Sequence, residues 1–337
     1  LKWGNTPTGW ALKRRYEVKL EDIGFYTLEN NRAKNVSLKS PLWRCELLLT
    51  NKCNFQCPYC RGLENGIEQT FDIASRIIDL WAKEGLKNIR FSGGEPTCWK
   101  DLQKLIWYTK NSNIERIAVS TNGSRNIELY KDLIDCGVND FSISLDACCA
   151  STGDIMSGIK GSWSKVVKNI EEISALTYVT VGIVLTEENF NELEKTIEFA
   201  YNLGVSDIRI ISAAQWNNSE KFKNIKIKKE ILDKCKILNY RITNFKSNRN
   251  VRGITISDNH YCPLVIDDMA IKGNYHYPCI IHLREGGKPI GKVDKNMRKE
   301  RFQYYKNHNT FLDPICNNNC LDVCVDYNNK VRELNVI

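Results

Sequence analysis

The sequence predicts an α/β fold built on a parallel sheet. Three observations predict it. Short apolar runs alternate with helix-period segments from Cys45 to about Ser212, giving six strands over roughly 170 residues. The segments between those runs have the length of crossover helices, which makes consecutive strands parallel and the crossovers right-handed. Small polar and glycine-rich groups recur just after the strands, where ligands bind in such folds. Periodicity leaves a doubly wound sheet and a partial barrel both open.

The elements follow in order. Residues 1–44 are mixed, with basic stretches at Lys13-Arg14-Arg15 and from Lys34 to Lys39. Tyr16 to Leu20 and Val36-Ser37-Leu38 alternate like short strands. Cys45 to Thr50 is the first long strand. Phe71 to Glu84 is a helix, with Ile73, Ile77, Ile78 and Trp81 on one face and Gly85 as its cap. Asn88 to Phe91, Ile117 to Val119, Asp140 to Leu145, Val179 to Leu185 and Ile208 to Ile211 are the remaining strands. Helices are expected over Leu102–Thr109, around Ile127–Ile134, around Trp163–Ile173 and around Phe190–Tyr201. After Ser212 the alternation stops, and Lys228 to Phe245 reads as one basic helix. The expected organisation is an extension at 1–44, an α/β unit at 45–215, a linking helix at 216–249 and a Cys-rich unit at 250–337.

Composition narrows the function classes. The chain has 337 residues, 42% of them apolar, enough for one large domain and a smaller one. No apolar run approaches the ~20 residues of a membrane span. Leu1-Lys2-Trp3-Gly4 begins no signal-peptide core, so a cytoplasmic protein is expected. Fourteen cysteines argue for metal binding rather than a disulfide scaffold, because a chain this long needs no staples and eight of them lie in Cys-dense stretches. The net charge of +8 suits an anionic partner, nucleic acid included. Part of that excess, from Lys223 to Lys236, reads as a solvated helix face.

The first strand empties into Cys53-Asn54-Phe55-Gln56-Cys57-Pro58-Tyr59-Cys60. Three thiolates on one loop can converge on one metal centre, and three is one short of a closed four-ligand site. A cluster held by Cys53, Cys57 and Cys60 keeps one iron open for a non-protein ligand. A zinc loop with a distant fourth ligand is the competing reading, and a non-catalytic zinc-binding adaptor is its different-class form. The second strand ends in Gly93-Gly94-Glu95-Pro96, where two glycines allow close backbone approach. The third ends in Ser120-Thr121-Asn122-Gly123 and the fourth in Ser144-Leu145-Asp146.

The Cys-x3-Cys-x2-Cys loop with its aromatic Tyr59, followed by Gly-Gly-Glu-Pro and polar strand ends, resembles the radical S-adenosylmethionine (SAM) superfamily. That resemblance implies a partial (β/α)6 TIM-like barrel. It implies a SAM-binding [4Fe–4S] cluster on Cys53, Cys57 and Cys60. It implies SAM contacts from Tyr59, Gly93, Gly94, Glu95, Ser120, Asn122, Ser144 and Asp146, with the Gly-Gly-Glu segment on the methionyl amino group. Reductive cleavage of SAM to a 5′-deoxyadenosyl radical would then abstract hydrogen from a substrate, with electrons from a flavodoxin- or ferredoxin-type donor.

Cys262 and Cys279 bracket a segment that alternates like a hairpin turning at Lys272-Gly273-Asn274. Cys316, Cys320 and Cys324 follow. The arrangement resembles a SPASM/Twitch extension, with five cysteines where the full pattern has seven. One auxiliary [4Fe–4S] cluster is therefore implied, on Cys262, Cys279 and two of Cys316, Cys320 and Cys324. A structural zinc is the alternative. Cys148 and Cys149 follow the fourth strand and are the candidate hydrogen-atom donors to a substrate radical; Cys98 is a weaker one. Filling space near strand ends is the bland alternative for all three. Cys45, Cys136 and Cys235 read as core. The expected substrate is a peptide or small metabolite, with a nucleotide or nucleic-acid base as the alternative.

Overall fold

The computed structural model describes residues 31–61, 68–214 and 216–334. The expected strand Tyr16–Leu20 and the basic Lys13–Arg15 lie outside these residues. Each long apolar run becomes a strand: β1 Arg44–Thr50, β2 Asn88–Gly93, β3 Arg116–Thr121, β4 Asp140–Ser144, β5 Tyr178–Leu185 and β6 Asp207–Ser212. Neighbours in sequence are parallel neighbours in the sheet. Between them run α1 Phe71–Lys83, α2 Leu102–Lys110, α3 Ile127–Cys136, α4 Ala150–Ser157, α5 Ser162–Leu176 and α6 Leu193–Asn202. This is the partial barrel. Its core lies between strands and helices: Leu47, Leu49, Phe91, Val119, Phe141 and Val181 face Ile77, Trp81, Leu105, Tyr130 and Ile170.

Local chemistry sets the helix ends. The Thr70 side chain accepts from the Ile73 amide at the start of α1, and Asn126 does the same for Glu128 at α3. Gly137 ends α3 with φ of 130°, a conformation that suits glycine.

The sheet does not stop at the barrel. After α7 Lys229–Lys234 and α8 Lys236–Lys246, strand β7 Asp268–Lys272 pairs in parallel with β1, Arg44 opposite Asp268. A turn at Gly273 leads to β8 Tyr275–Tyr277, then α9 Ile280–Arg284 and β9 Gly291–Lys292. Helices α10 Met297–Asn307, α11 Pro314–Asn319 and α12 Asp322–Glu333 complete the described chain. The Cys-rich unit is thus grafted onto the barrel's first strand. No described helix is long and apolar enough to cross a membrane.

Two expectations needed correction, and one helix was missed. Val36-Ser37-Leu38 is not a strand; it follows a 3-10 turn at Asn31–Lys34, and Val36 packs with Ala33, Leu264, Ile266 and Tyr327 in a small second core. The single basic helix is two, broken at the fully buried Cys235. The Asp207 carboxylate accepts from the Ile237 and Leu238 amides (3.0 and 3.3 Å), starting α8 afresh. Helix α4 was not expected; its weak apolar periodicity hid it.

Candidate active site

The three-Cys loop is clamped by neighbouring elements. The Gly94 amide donates to Thr50 O (2.7 Å) and the Glu95 amide to Lys52 O (2.8 Å). A Cβ on Gly94 would lie 2.4 Å from Lys52 O, and one on Gly93 the same distance from Thr50 O, so both glycines are required by close approach. From the other side, the Gln56 amide donates to Ser157 O (2.9 Å), and a Cβ on Gly158 would lie 2.4 Å from Gln56 O. Asn122 Nδ2 donates to Asn54 Oδ1 (2.9 Å) and points at Cys53 Sγ (4.0 Å), while Asn54 Nδ2 donates to Ser124 Oγ (2.8 Å). Burial raises the Cys53 thiol and pushes Cys57 up to about 12. Ionising these thiols together calls for a cation among them, which is the chemistry of a metal-bound thiolate set.

Two carboxylates anchor the strand ends. Glu95 is 1% exposed and accepts from the Thr97 amide and hydroxyl (3.0 and 2.7 Å), the Thr121 hydroxyl (2.8 Å) and the Asn122 amide (2.7 Å). Three of these bonds fall on Oε1 and one on Oε2, so Glu95 ties the ends of β2 and β3 together while Oε2 keeps one lone-pair site for a further donor. Asp146 accepts from Tyr59 Oη (2.6 Å) and the Val184 amide (2.7 Å), and burial pushes it up to about 6. Tyr59 is thereby fixed to the end of β4. Ser120 and Ser144 stand on the inner face of the same strand ends and line the cavity described next.

The C-terminal thiols also converge. Cys320 stands beside Cys324 and holds its thiol low, and burial drives Cys262 up to about 11, Cys279 to about 12 and Cys316 higher still. Arg301, with no exposed surface, donates to the carbonyls of Val265, Asp268, Tyr277 and Pro278 and so fixes the backbone before Cys279. Asp322 binds Arg241 and Asn244 behind the α11–α12 turn. Five thiols at one place suffice for a four-thiolate cluster. His308 and Asp313 approach Cys316, with His308 Nε2 3.8 Å from its sulfur and 3.4 Å from Asp313 Oδ2.

One cavity of about 760 Å³ joins the two Cys groups. Cys53, Cys57 and Cys60 line one part of it and Cys262, Cys279, Cys316, Cys320 and Cys324 another. Gly93, Gly94, Glu95, Ser120, Asn122, Ser144, Asp146 and Tyr59 lie between. Cys148 and Cys149 do not line it. They sit beside Glu192, where the Ser151 hydroxyl lowers the Cys149 thiol. A thiol must reach a substrate radical to quench it, so this geometry gives their donor role no support. Cys98 is also outside the cavity lining, under the Arg125 guanidinium (3.0 Å). Cys45 and Cys235 are core; Cys136 packs at its edge.

Sequence reasoning missed the charged lumen. Arg44, Glu46, Arg90, Ser92, Ser142 and Arg209 all line the cavity from inside the strands. Their signal is a charged or polar residue inside an apolar run, as in Ile208-Arg209-Ile210, which the strand assignments absorbed as alternation.

Residues 47–200 match the family model described as the Radical SAM superfamily. A probable GTP 3′,8-cyclase of Metallosphaera sedula is 28% identical over 177 residues, covering 51% of this chain and 56% of that protein. One of Methanococcus vannielii is 31% identical over 164 residues, covering 47% and 54%. An AdoMet-dependent heme synthase of Methanosarcina barkeri is 30% identical over 162 residues, covering 46% of each. The chain spans about half the length of these curated relatives. Among solved structures, Streptococcus suis SuiB superposes with a TM-score of 0.55 at 16% identity, covering 80% of this chain and 66% of that one. Native anSMEcpe with bound AdoMet superposes with a TM-score of 0.57 at 15% identity, covering 79% and 81%. At such identities the superpositions establish the fold.

Proposed function

We propose that this chain, which carries a radical SAM domain at residues 47–200, cleaves SAM reductively and abstracts a hydrogen atom from a substrate held between its two Cys groups. The observation that carries the proposal is the single cavity shared by the three-Cys loop and the five C-terminal cysteines. When bound, a [4Fe–4S] cluster passes one electron to SAM, which yields methionine and a 5′-deoxyadenosyl radical. Cys53, Cys57 and Cys60 would hold that cluster and leave one iron without a protein ligand. Gly93 and Gly94 bring β2 against the loop and leave room for SAM. Ser120, Asn122 and Ser144 offer hydrogen bonds from the strand ends, while Glu95 and Asp146 keep those ends in place. Cys262, Cys279 and two of Cys316, Cys320 and Cys324 would hold the auxiliary cluster.

The electron donor on this reading is a flavodoxin- or ferredoxin-type protein. The cavity volume is in the range of a small-molecule site, and SAM takes a share of it. That supports a small metabolite or nucleotide over a long peptide. The naming of relatives as GTP 3′,8-cyclases adds support for a nucleotide.

The test is anaerobic. Reconstituted protein is assayed for iron and sulfide, then given dithionite and SAM. About eight irons per chain, as two four-iron clusters require, together with 5′-deoxyadenosine, is the expected result. Bound zinc without iron, and no deoxyadenosine, would overturn it in favour of a zinc-binding adaptor.

A further inference from the structure

The lumen of the partial barrel is charged where a packed core would be apolar. The third residue of β1 is Glu46, that of β2 is Arg90 and that of β6 is Arg209. Arg44 and Arg116 lie one layer below. Four guanidiniums there meet three carboxylates: Arg44 pairs with Asp268 (3.2 Å), and Arg90 and Arg116 share Asp140 (3.6 and 3.4 Å). Glu46 accepts from Ser92 Oγ (2.9 Å).

Arg209 is the exception. Among the described residues its guanidinium has no carboxylate within ion-pair distance. Its one hydrogen bond is from Nη2 to Ser142 Oγ (3.2 Å), and its Nε is buried with no partner. The arginines nearer the Cys groups differ in this respect: Arg61 pairs with Glu285, Arg241 with Asp322, and Arg252 donates to two backbone carbonyls. A cavity-lining guanidinium with no carboxylate within ion-pair distance is an arrangement completed by an oxyanion.

We propose that Arg209, with Arg90 and the hydroxyls of Ser142 and Ser120, receives an anionic oxygen group of the substrate, a phosphoryl or carboxylate, deep in the barrel lumen. The proposal rests on the cavity being the substrate site, and it narrows the substrate to a molecule with an anionic end. Arg90 and Arg209 stand three residues before the ends of their strands. At about 3.3 Å per residue, their backbone lies roughly 10 Å below the loops that would hold SAM. An anion fixed there leaves the rest of the substrate extending toward the strand ends.

Inorganic pyrophosphate, inorganic phosphate, succinate and SAM are titrated calorimetrically into the reconstituted full chain, its Arg209→Gln variant and its Arg209→Lys variant. Binding of a phosphate or succinate probe that Arg209→Gln weakens by about tenfold or more, with SAM affinity unchanged, is the expected result. Arg209→Lys keeps the charge but loses the planar fork, so it falls between. It also serves as the folded comparison should the glutamine variant bind no iron. Three results would each overturn the proposal: no probe binding to the wild type, equal probe binding to all three proteins, or loss of SAM affinity alone. The last would assign the lumen to the carboxylate of SAM. Deoxyadenosine formation, measured on the same wild-type sample, reports separately on the radical chemistry.

Discussion

The two Cys groups reach one cavity by opposite routes. The first is local in sequence: Cys53, Cys57 and Cys60 lie within eight residues and need only a loop held in shape. What holds it is backbone, with Gly94 and Glu95 amides on one side and Ser157 O on the other. The second gathers cysteines from positions 262 to 324 and relies on buried charge to position the segments. Arg301 grips four carbonyls, and Asp322 grips Arg241 and Asn244. A local site is limited by close packing, and an assembled site by the cost of leaving a buried polar group unmatched.

The strongest break in this comparison is chemical. Cys57→Ala removes one of only three thiols, so deoxyadenosine formation should drop below detection while the C-terminal iron stays. Persistence of deoxyadenosine would sink the assignment of the loop. Cys262→Ala should halve the iron content and leave SAM cleavage measurable, because the two sites share a cavity but no ligand. Iron content unchanged by that variant would refute the auxiliary site.

The structural breaks come next. Arg301→Met leaves several buried carbonyls without a donor and should destabilise the fold by about 3 kcal/mol or more. Iron at the five-Cys group should be lost before iron at the loop. Gly94→Ala forces a Cβ against Lys52 O and should cost about 1–3 kcal/mol, with the iron loss now confined to the loop. Quantifying iron in both variants, beside a urea unfolding midpoint, checks the pair. Equal losses from both sites in both variants would mean the sites are not independently supported.

The same contrast explains what the sequence made legible. The six barrel strands were readable because each is a short stretch with apolar residues on its helix-facing side, set between helix-period segments, and the loop cysteines were readable because their spacing is local. The pairing of β7 with β1 was not, because nothing in Asp268–Lys272 names its partner more than 200 residues away. Arg90 and Arg209 were not singled out, because an inward charge and an outward charge look alike in an alternating strand until the sheet curls. Glu95 was legible from its Gly-Gly-Glu setting, but its bonds to Thr97, Thr121 and Asn122 were not, because those partners come from the following turn and from the next strand's end.

The smallest effect concerns a carboxylate that bonds to neither Cys group. Asp207 caps α8 from β6 and is pushed by burial from 3.8 up to about 6. Its folded pKa lies above its unfolded one, so the stability it contributes is full below about pH 4 and is lost as pH rises through about 6. A shift of about two units corresponds to roughly 3 kcal/mol. Asp207→Asn keeps one acceptor and loses a bond to the Ile237 amide, which should cost about 1 kcal/mol at low pH. The variant has no proton to lose, so it escapes the later decline and should be the more stable protein by pH 7. Urea midpoints of the reduced, metal-free proteins from pH 4 to pH 7 would reveal the crossing, and parallel curves would show that the Asp207 carboxyl titrates normally. Iron content after reconstitution should be the same for both proteins, because the loss of one cap bond at the first turn of α8 leaves Arg241 and Asn244, further along the helix, on Asp322.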